Sequence, residues 1–293
     1  MVASRTPLPG PTRGSRARAR YPAFAEVRRF VAWSTLVALT LSACSGVAST
    51  PTRAPSPAPS VASLAIDGSA GILSVSEQPL RLVTLGDSYT AGTYLPVARR
   101  DSWPAQLVQA MQGDLRLELV ANVAEPGHTS GFVLDDQLWS LGSYRPDVVT
   151  LLVGANDVIA PGLTMEDYRR NVGLILDQLL THLPPTGIFV ITTPDFTLAR
   201  RGGEAADRAR MAAEVDEANA ILGEEAQERG IALIDITPIS DRVTLDPSLV
   251  IDDGPWFDPE GDFLPSYPSA KQYSAWVEVI GPVMRRVVLG AEP

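Results

Sequence analysis

The feature that most narrows the fold is a rhythm of five short apolar runs, at 82–85, 117–123, 148–153, 188–193 and 231–236. They are rich in β-branched residues and bounded by Gly, Pro or Asp. The runs are nearly continuous rather than alternating, so both sides of each strand need cover. Helical stretches fill the gaps between them. One sets Tyr168, Val172, Leu176, Leu179 and Leu183 on a single face and stops at Pro184-Pro185; another aligns Met211, Val215, Ala218 and Leu222 and stops at Gly230. A closing helix is predicted over 269–288. Strands joined through helices pair in parallel, because a parallel pair needs a long crossover. The expected fold class is therefore α/β, a three-layer α/β/α sandwich around a parallel five-stranded sheet.

The 293 residues, 45% of them hydrophobic, suffice for one such domain plus tails. The predicted division is a signal peptide over 1–43, a linker over 44–79 and the folded domain over 80–293. Arg28-Arg29 closes a basic stretch ahead of residues 30–41, a mostly apolar segment too short to favour a membrane span and suited to a signal core. It runs into Leu41-Ser42-Ala43-Cys44, which resembles the lipobox of bacterial lipoproteins. That resemblance implies a lipidated Cys44 and an exported protein anchored on the outer face of the membrane. An ordinary secretory signal with an incidental cysteine is the other reading of the same residues. From 45 to 63 the chain turns to Ser, Ala, Thr and Pro, a composition that favours an extended spacer over a packed core.

Cys44 is the only cysteine, so an intrachain disulfide and a thiolate metal cluster are both excluded. Without residues 1–43 the chain carries 17 basic against 33 acidic side chains, a net charge of −16. So acidic a surface argues against binding a phosphate backbone, and no nucleic-acid partner is expected.

Ligands of open α/β sheets bind beyond the carboxyl ends of the strands, and the chemically capable residues cluster there. Gly86-Asp87-Ser88-Tyr89-Thr90 follows the first run, Gly127 the second, Gly154-Ala155-Asn156-Asp157 the third, and the loop 237–268 the fifth. A serine at a strand tip, a glycine amide and an asparagine amide are the parts of an acyl-transfer site, in which a nucleophile attacks a carbonyl and fixed donors hold the oxyanion.

In these blocks the chain resembles the SGNH, or GDSL-type, hydrolase family, from about Arg81 to Val288. The smaller strings Thr193-Pro194-Asp195 and Asp235-Ile236-Thr237-Pro238-Ile239-Ser240 are similar too. The resemblance implies a flavodoxin-like sheet, Ser88 as nucleophile and as donor of its own amide, the Gly127 amide as second donor and the Asn156 side chain as third. It further implies hydrolysis of carboxylic esters, acyl or acetyl. The partner would be a small-molecule ester or acylated glycan, and neither cofactor nor metal is needed.

The family's last block is an Asp, two residues and then the His that serves as base, commonly followed by Pro-Ser. Here Tyr267-Pro268-Ser269-Ala270-Lys271-Gln272-Tyr273 fits that frame, with Tyr267 in the histidine slot and Leu264 in the aspartate slot. A frame starting at Asp262 meets Pro265 where the histidine belongs. The first frame is preferred because the final helix then continues without a gap. A tyrosine, with a reference pKa near 10, is a poor base at neutral pH.

Two histidines exist. His182 ends a helix before Pro184-Pro185 and is read as a surface residue. His128 follows the predicted oxyanion glycine and is a candidate base, or else a loop residue lining the pocket. Asp87 and Asp157, beside tight glycine turns, are read as loop-fixing acceptors. The acids Asp252, Asp253, Asp258, Glu260 and Asp262 lack EF-hand spacing and are read as a solvated loop; Trp256 and Phe257 among them line a pocket or anchor the loop. Three outcomes follow. The chain is a hydrolase, weak or inactive for want of the histidine; a degenerate surface lipoprotein holding an acylated or glycan ligand; or a structural envelope protein.

Overall fold

The structure, a computed structural model, describes residues 78–113, 115–198, 205–240, 242, 246–250 and 267–290. The predicted signal peptide, Cys44, nearly all of the predicted linker and residues 251–266, with Leu264, Trp256, Phe257 and the five loop acids, lie outside the described residues. In chain order the elements are β1 (Leu80–Gly86), α1 (Ser88–Ala91), α2 (Ala98–Asp101), α3 (Trp103–Ala110), β2 (Leu117–Asn122), α4 (Ser130–Phe132), α5 (Leu141–Tyr144), β3 (Val148–Leu152), α6 (Ala155–Ile159), α7 (Met165–Leu180), β4 (Ile188–Ile191), α8 (Ala205–Glu228), β5 (Ala232–Ile234), α9 (Thr237–Ser240) and α10 (Ala270–Leu289).

The strands form one parallel sheet in the order β2-β1-β3-β4-β5, the flavodoxin-like order. All of β3 and β4 is buried, which is why those runs are apolar at consecutive positions. Helix α3 packs with α10, and α7 with α8. Right-handed crossovers put helices that lead to opposite edges of the sheet on opposite faces, so these pairs are the two outer layers. Helix α7 starts at a capping box, in which Asp167 N donates to Thr164 Oγ1 and the Asp167 carboxylate accepts from Thr164 N. It turns Tyr168, Val172, Ile175, Leu176 and Leu179 into the core. Helix α10 is capped by Ser269, whose side chain accepts from Gln272 N, and buries Tyr273, Trp276, Ile280, Met284 and Val288.

Strands β3, β4 and β5 end one or two residues short of the apolar runs. Val153 and Thr193 are still buried, but they leave the ladder for side-chain partners: the Val153 carbonyl accepts from Tyr168 Oη and Thr193 Oγ1, and Thr193 N donates to Asn219 Oδ1. Because the chain leaves β1 toward one edge of the sheet and β3 toward the other, the crevice between these two neighbours opens at their carboxyl ends.

At that crevice Gly86, with φ +145°, ends β1 so close to β3 that an added Cβ would overlap the Leu152 carbonyl oxygen and press on Thr90 Oγ1. Gly86→Ala is therefore expected to destabilise the domain by about 3 kcal/mol or more, combining strained backbone with a backbone clash. Urea unfolding of the purified variant measures this; an unchanged midpoint would contradict the packing described.

Candidate active site

The first block is built by a helix start. Asp87 caps α1, its Oδ1 accepting from Tyr89 N at 2.9 Å. Ser88 is the first helical residue and is only 5% exposed. Its carbonyl is held by the amides of Gly92 and Thr93, whereas its Oγ and its amide hydrogen bond to none of the described residues. The Ser88 amide is one of the orphan donors of a helix N-terminus, which suits it to an anion. Asn122 at the end of β2 steadies the helix, its Nδ2 donating to Thr90 O at 2.8 Å.

The second block is the loop after β2. Glu125 N donates to Gly86 O, and His128 N donates back to Glu125 O, so the loop folds over the end of β1. Gly127 lies exposed in that turn with φ +84°, a backbone conformation open to glycine. The third block brings Asn156, in the first turn of α6. Its Nδ2 donates to the His128 carbonyl at 2.9 Å, which leaves the second hydrogen of the same amide unspent. Asp157 lies behind it, accepting from Ser130 N and, at 2.5 Å, from Ser130 Oγ. Asn171 Nδ2 donates to that same hydroxyl at 3.1 Å. Asp87 and Asp157 thus make the backbone contacts expected of loop-fixing acids. The structure brings Ser88, Gly127 and Asn156 to one end of the sheet, over the tips of β1, β2 and β3.

The structure does not pair His128, the candidate base, with Ser88. Gln137 Nε2 lies 3.0 Å from its Nδ1, and its Nε2 lies 3.5 Å from Glu125 Oε2. Neither ring nitrogen is bonded to Ser88 Oγ, and the ring stacks on Phe132 with centroids 5.2 Å apart. His182 is exposed just beyond α7, as read from the sequence. Tyr267 lies against α1, its ring 4.6 Å from that of Tyr94 and 6.3 Å from that of Tyr89. It is fixed there by the Val250–Pro268 bridge and by Tyr273, whose Oη donates to Tyr89 O at 2.7 Å. The histidine slot of the last block is therefore beside Ser88's helix, and a tyrosine fills it.

Gln137 was missed by motif reading. Its signal is a polar residue on a buried face, since Val133, Gln137 and Leu141 recur four residues apart and all three are buried. Among the described residues no group of three His, Cys, Asp or Glu is arranged to hold a metal ion.

Burial shapes the electrostatics. Removal from water pushes the Asp87 carboxyl up to about 7, and the nearby Asp157 adds to the rise. Asp157 is itself pushed up to about 6 by burial, against the pull of its Ser130 bonds. Asp87 Oδ2 is buried with no hydrogen-bond partner among the described residues, an environment that disfavours the charged form.

The comparisons agree with this geometry. Residues 84–274 match the GDSL-like Lipase/Acylhydrolase family. The chain belongs to that family. An arylesterase of Vibrio mimicus is 30% identical over 106 residues, covering 35% of this chain and 52% of the relative, so the chain spans about half the length of the curated relative it matches. Two solved structures share the fold. LAE5, an alpha/beta hydrolase enzyme from the metagenome of Lake Arreo, Spain, superposes with TM-score 0.53 at 22% identity over 74% of this chain and 99% of its own. Axe2, an acetylxylan esterase from Geobacillus stearothermophilus, does so with TM-score 0.52 at 18% identity over 71% and 94%.

The Asp87 shift makes stability depend on pH. Between about pH 4 and 7 the folded state keeps a proton that the unfolded state has released, so stability falls as pH rises across that window and levels off above it. Asp87→Asn keeps the acceptor for Tyr89 N and carries no charge. It is expected to flatten the fall, which is at most about 4 kcal/mol for Asp87, leaving the smaller contribution of Asp157. Urea midpoints at pH 5 and pH 8 check this: parallel curves for wild type and variant would refute the assignment.

Proposed function

We propose that this chain hydrolyses carboxylic esters through Ser88, slowly, as an exported protein anchored by a lipid on Cys44. The observation that carries the hydrolytic reading is the convergence of Ser88 at the start of α1, Gly127 in its left-handed turn and Asn156 tied to the His128 carbonyl. Family membership supports it independently. Ser88 Oγ attacks the acyl carbon, forming a C–O bond while the carbonyl π pair moves to oxygen. The Ser88 and Gly127 amides and the spare hydrogen of Asn156 Nδ2 take up that oxyanion. Collapse breaks the bond to the leaving oxygen, which takes a proton from water and departs as the alcohol; water then attacks the acyl-serine, releasing the acid and returning a proton to Ser88 Oγ. With no described side chain bonded to Oγ, the serine proton passes to water, and the site keeps mainly the acceleration of its oxyanion donors and binding, about 10³ to 10⁴ over water.

The same observation favours a second reading, a binder of an acylated or glycan ligand that keeps the pocket without turnover. One experiment separates them. Under the hydrolytic reading, purified protein cleaves a short-chain aryl ester, Ser88→Ala abolishes the activity, and Asn156→Ala lowers it about 100-fold or more. Wild type indistinguishable from Ser88→Ala would leave only the binding reading. Tyr267→His with Leu264→Asp restores the family's last block and is expected to raise turnover, since base assistance is worth about 10² to 10⁴-fold.

The anchoring reading rests on Leu41-Ser42-Ala43-Cys44 and on the Pro-rich stretch behind it. Cys44→Ser is expected to release the domain from washed membranes with its fold intact. Equal retention of wild type and variant would overturn it.

A further inference from the structure

We propose that Gln137 is a positioning residue, which with neutral His128 as its acceptor locks the oxyanion loop to the nucleophile turn. The proposal rests on the reading of Ser88 as nucleophile. Gln137 is 3% exposed and spends its whole amide on two partners. Its Oε1 accepts from Gly86 N at 2.9 Å, its Nε2 donates to Gly86 O at 2.7 Å, and the same nitrogen lies 3.0 Å from His128 Nδ1. The amide's orientation follows from Gly86 alone, because the reverse assignment would set donor against donor and acceptor against acceptor. Its second hydrogen then points at His128 Nδ1, which must hold a lone pair there. Neutral His128 therefore carries its proton on Nε2, the side of Glu125 Oε2 at 3.5 Å.

The backbone is shaped for this contact. After α4 the helix widens into a π turn over Val133–Gln137, closed by Leu138 N donating to Val133 O, and Gln137 is its last residue. Such an inserted turn re-aims a side chain and is frequent at functional sites. The result is a continuous path from Gly86, two residues before Ser88, through Gln137 and the His128 ring, then through the His128 carbonyl to Asn156 Nδ2 at 2.9 Å. Gly127 is held between these anchors. One buried side chain thus fixes the spacing between the nucleophile turn and two of the three oxyanion donors. In this role His128 is needed as a hydrogen-bond acceptor at Nδ1, and not as a proton acceptor for Ser88.

A substitution series tests this with two readouts. The first is the rate at which a fluorophosphonate modifies Ser88, followed by intact mass, with ester kcat and KM alongside. Gln137→Leu and His128→Leu are each expected to slow labelling and lower kcat by about 100-fold, the effect of a misplaced reacting geometry, with little change in KM. The double variant should be no slower than either single one. His128→Asn, whose Oδ1 can stand in for Nδ1, should recover most of the rate. Equal losses in His128→Asn and His128→Leu would overturn the proposal and return His128 to the role of base.

The second readout is the histidine tautomer by long-range nitrogen–proton NMR. The chain has only two histidines, so His182→Gln leaves the signal of His128 alone. The proposal requires an unprotonated Nδ1 in the neutral ring, and a shift toward mixed tautomers in Gln137→Leu. A proton resident on Nδ1 overturns it. If wild-type Ser88 is not phosphonylated at all, the hydrolytic reading fails, and the tautomer still decides whether the lock exists.

Discussion

The close approach of β1 to β3 at Gly86 is the constraint from which the rest of the site follows. With no Cβ between them, the chain can pass the Leu152 carbonyl, turn through Asp87 and begin a helix whose first residue is Ser88. A turn this tight and this buried strips water from its own backbone. The Gly86 amide and carbonyl must then be satisfied from inside, since an unpaired buried polar group costs about 1 to 3 kcal/mol. Gln137 meets both at once, and Glu125 N shares the carbonyl. Satisfying the turn and shaping the loop after β2 are thus one operation, because Gln137 and Glu125 both also hold His128.

The same dryness has two electrostatic consequences with opposite signs. Donors aimed at a developing oxyanion are worth more in a water-excluded site than in water. Carboxylates in that environment are costly, and Asp87 and Asp157 are correspondingly pushed toward neutrality. A neutral Asp87 does not oppose negative charge forming next to Ser88, whereas an ionised one would. Its capping bond to Tyr89 N needs only one oxygen, so the helix start survives either state. Two acids in the turns that carry Ser88 and Asn156 can therefore be structural without cancelling the oxyanion donors proposed there.

Much of this was legible in the sequence, for identifiable reasons. Continuous β-branched runs alternating with one-faced helices specify a covered parallel sheet, and Pro184-Pro185 and Gly230 mark helix ends through local chemistry. Gly86-Asp87-Ser88 and Gly154-Ala155-Asn156-Asp157 were readable because each is a contiguous string at a strand tip. Gln137 and His128 were not, because their roles are set by pairings across the fold. Gln137 reaches Gly86 from 51 residues away, and His128 is committed by Gln137 and Asn156 from either side. Adjacency to the oxyanion glycine suggested a base; only the partners of its two nitrogens argue for another task. The strand ends were misjudged for a related reason, since Val153 and Thr193 are as apolar or β-branched as the ladder they leave.

The last block separates scaffold from chemistry. Its frame is built: Pro268 bridges to Val250, Ser269 caps α10, and Tyr273 reaches back to the carbonyl of Tyr89, the residue after Ser88. What differs is the group carried by that frame. Tyr267 presents a ring packed edge-on to Tyr94, itself held in a left-handed conformation with φ +63° that a bulky side chain adopts only at a cost. Under the proposed reading this aromatic pair stands where the family's base would be, and a phenol, with a reference pKa near 10, is a poor base there. The two proposed readings, slow hydrolysis and ligand retention, use the same sheet, the same turn at Ser88 and the same proposed oxyanion donors, and differ in whether the acyl-serine forms. On that proposal a hydrolase fold can drift toward binding: loss of the base slows removal of the serine proton, while donors placed for the oxyanion still hold a carbonyl oxygen, though more weakly than they hold the transition state.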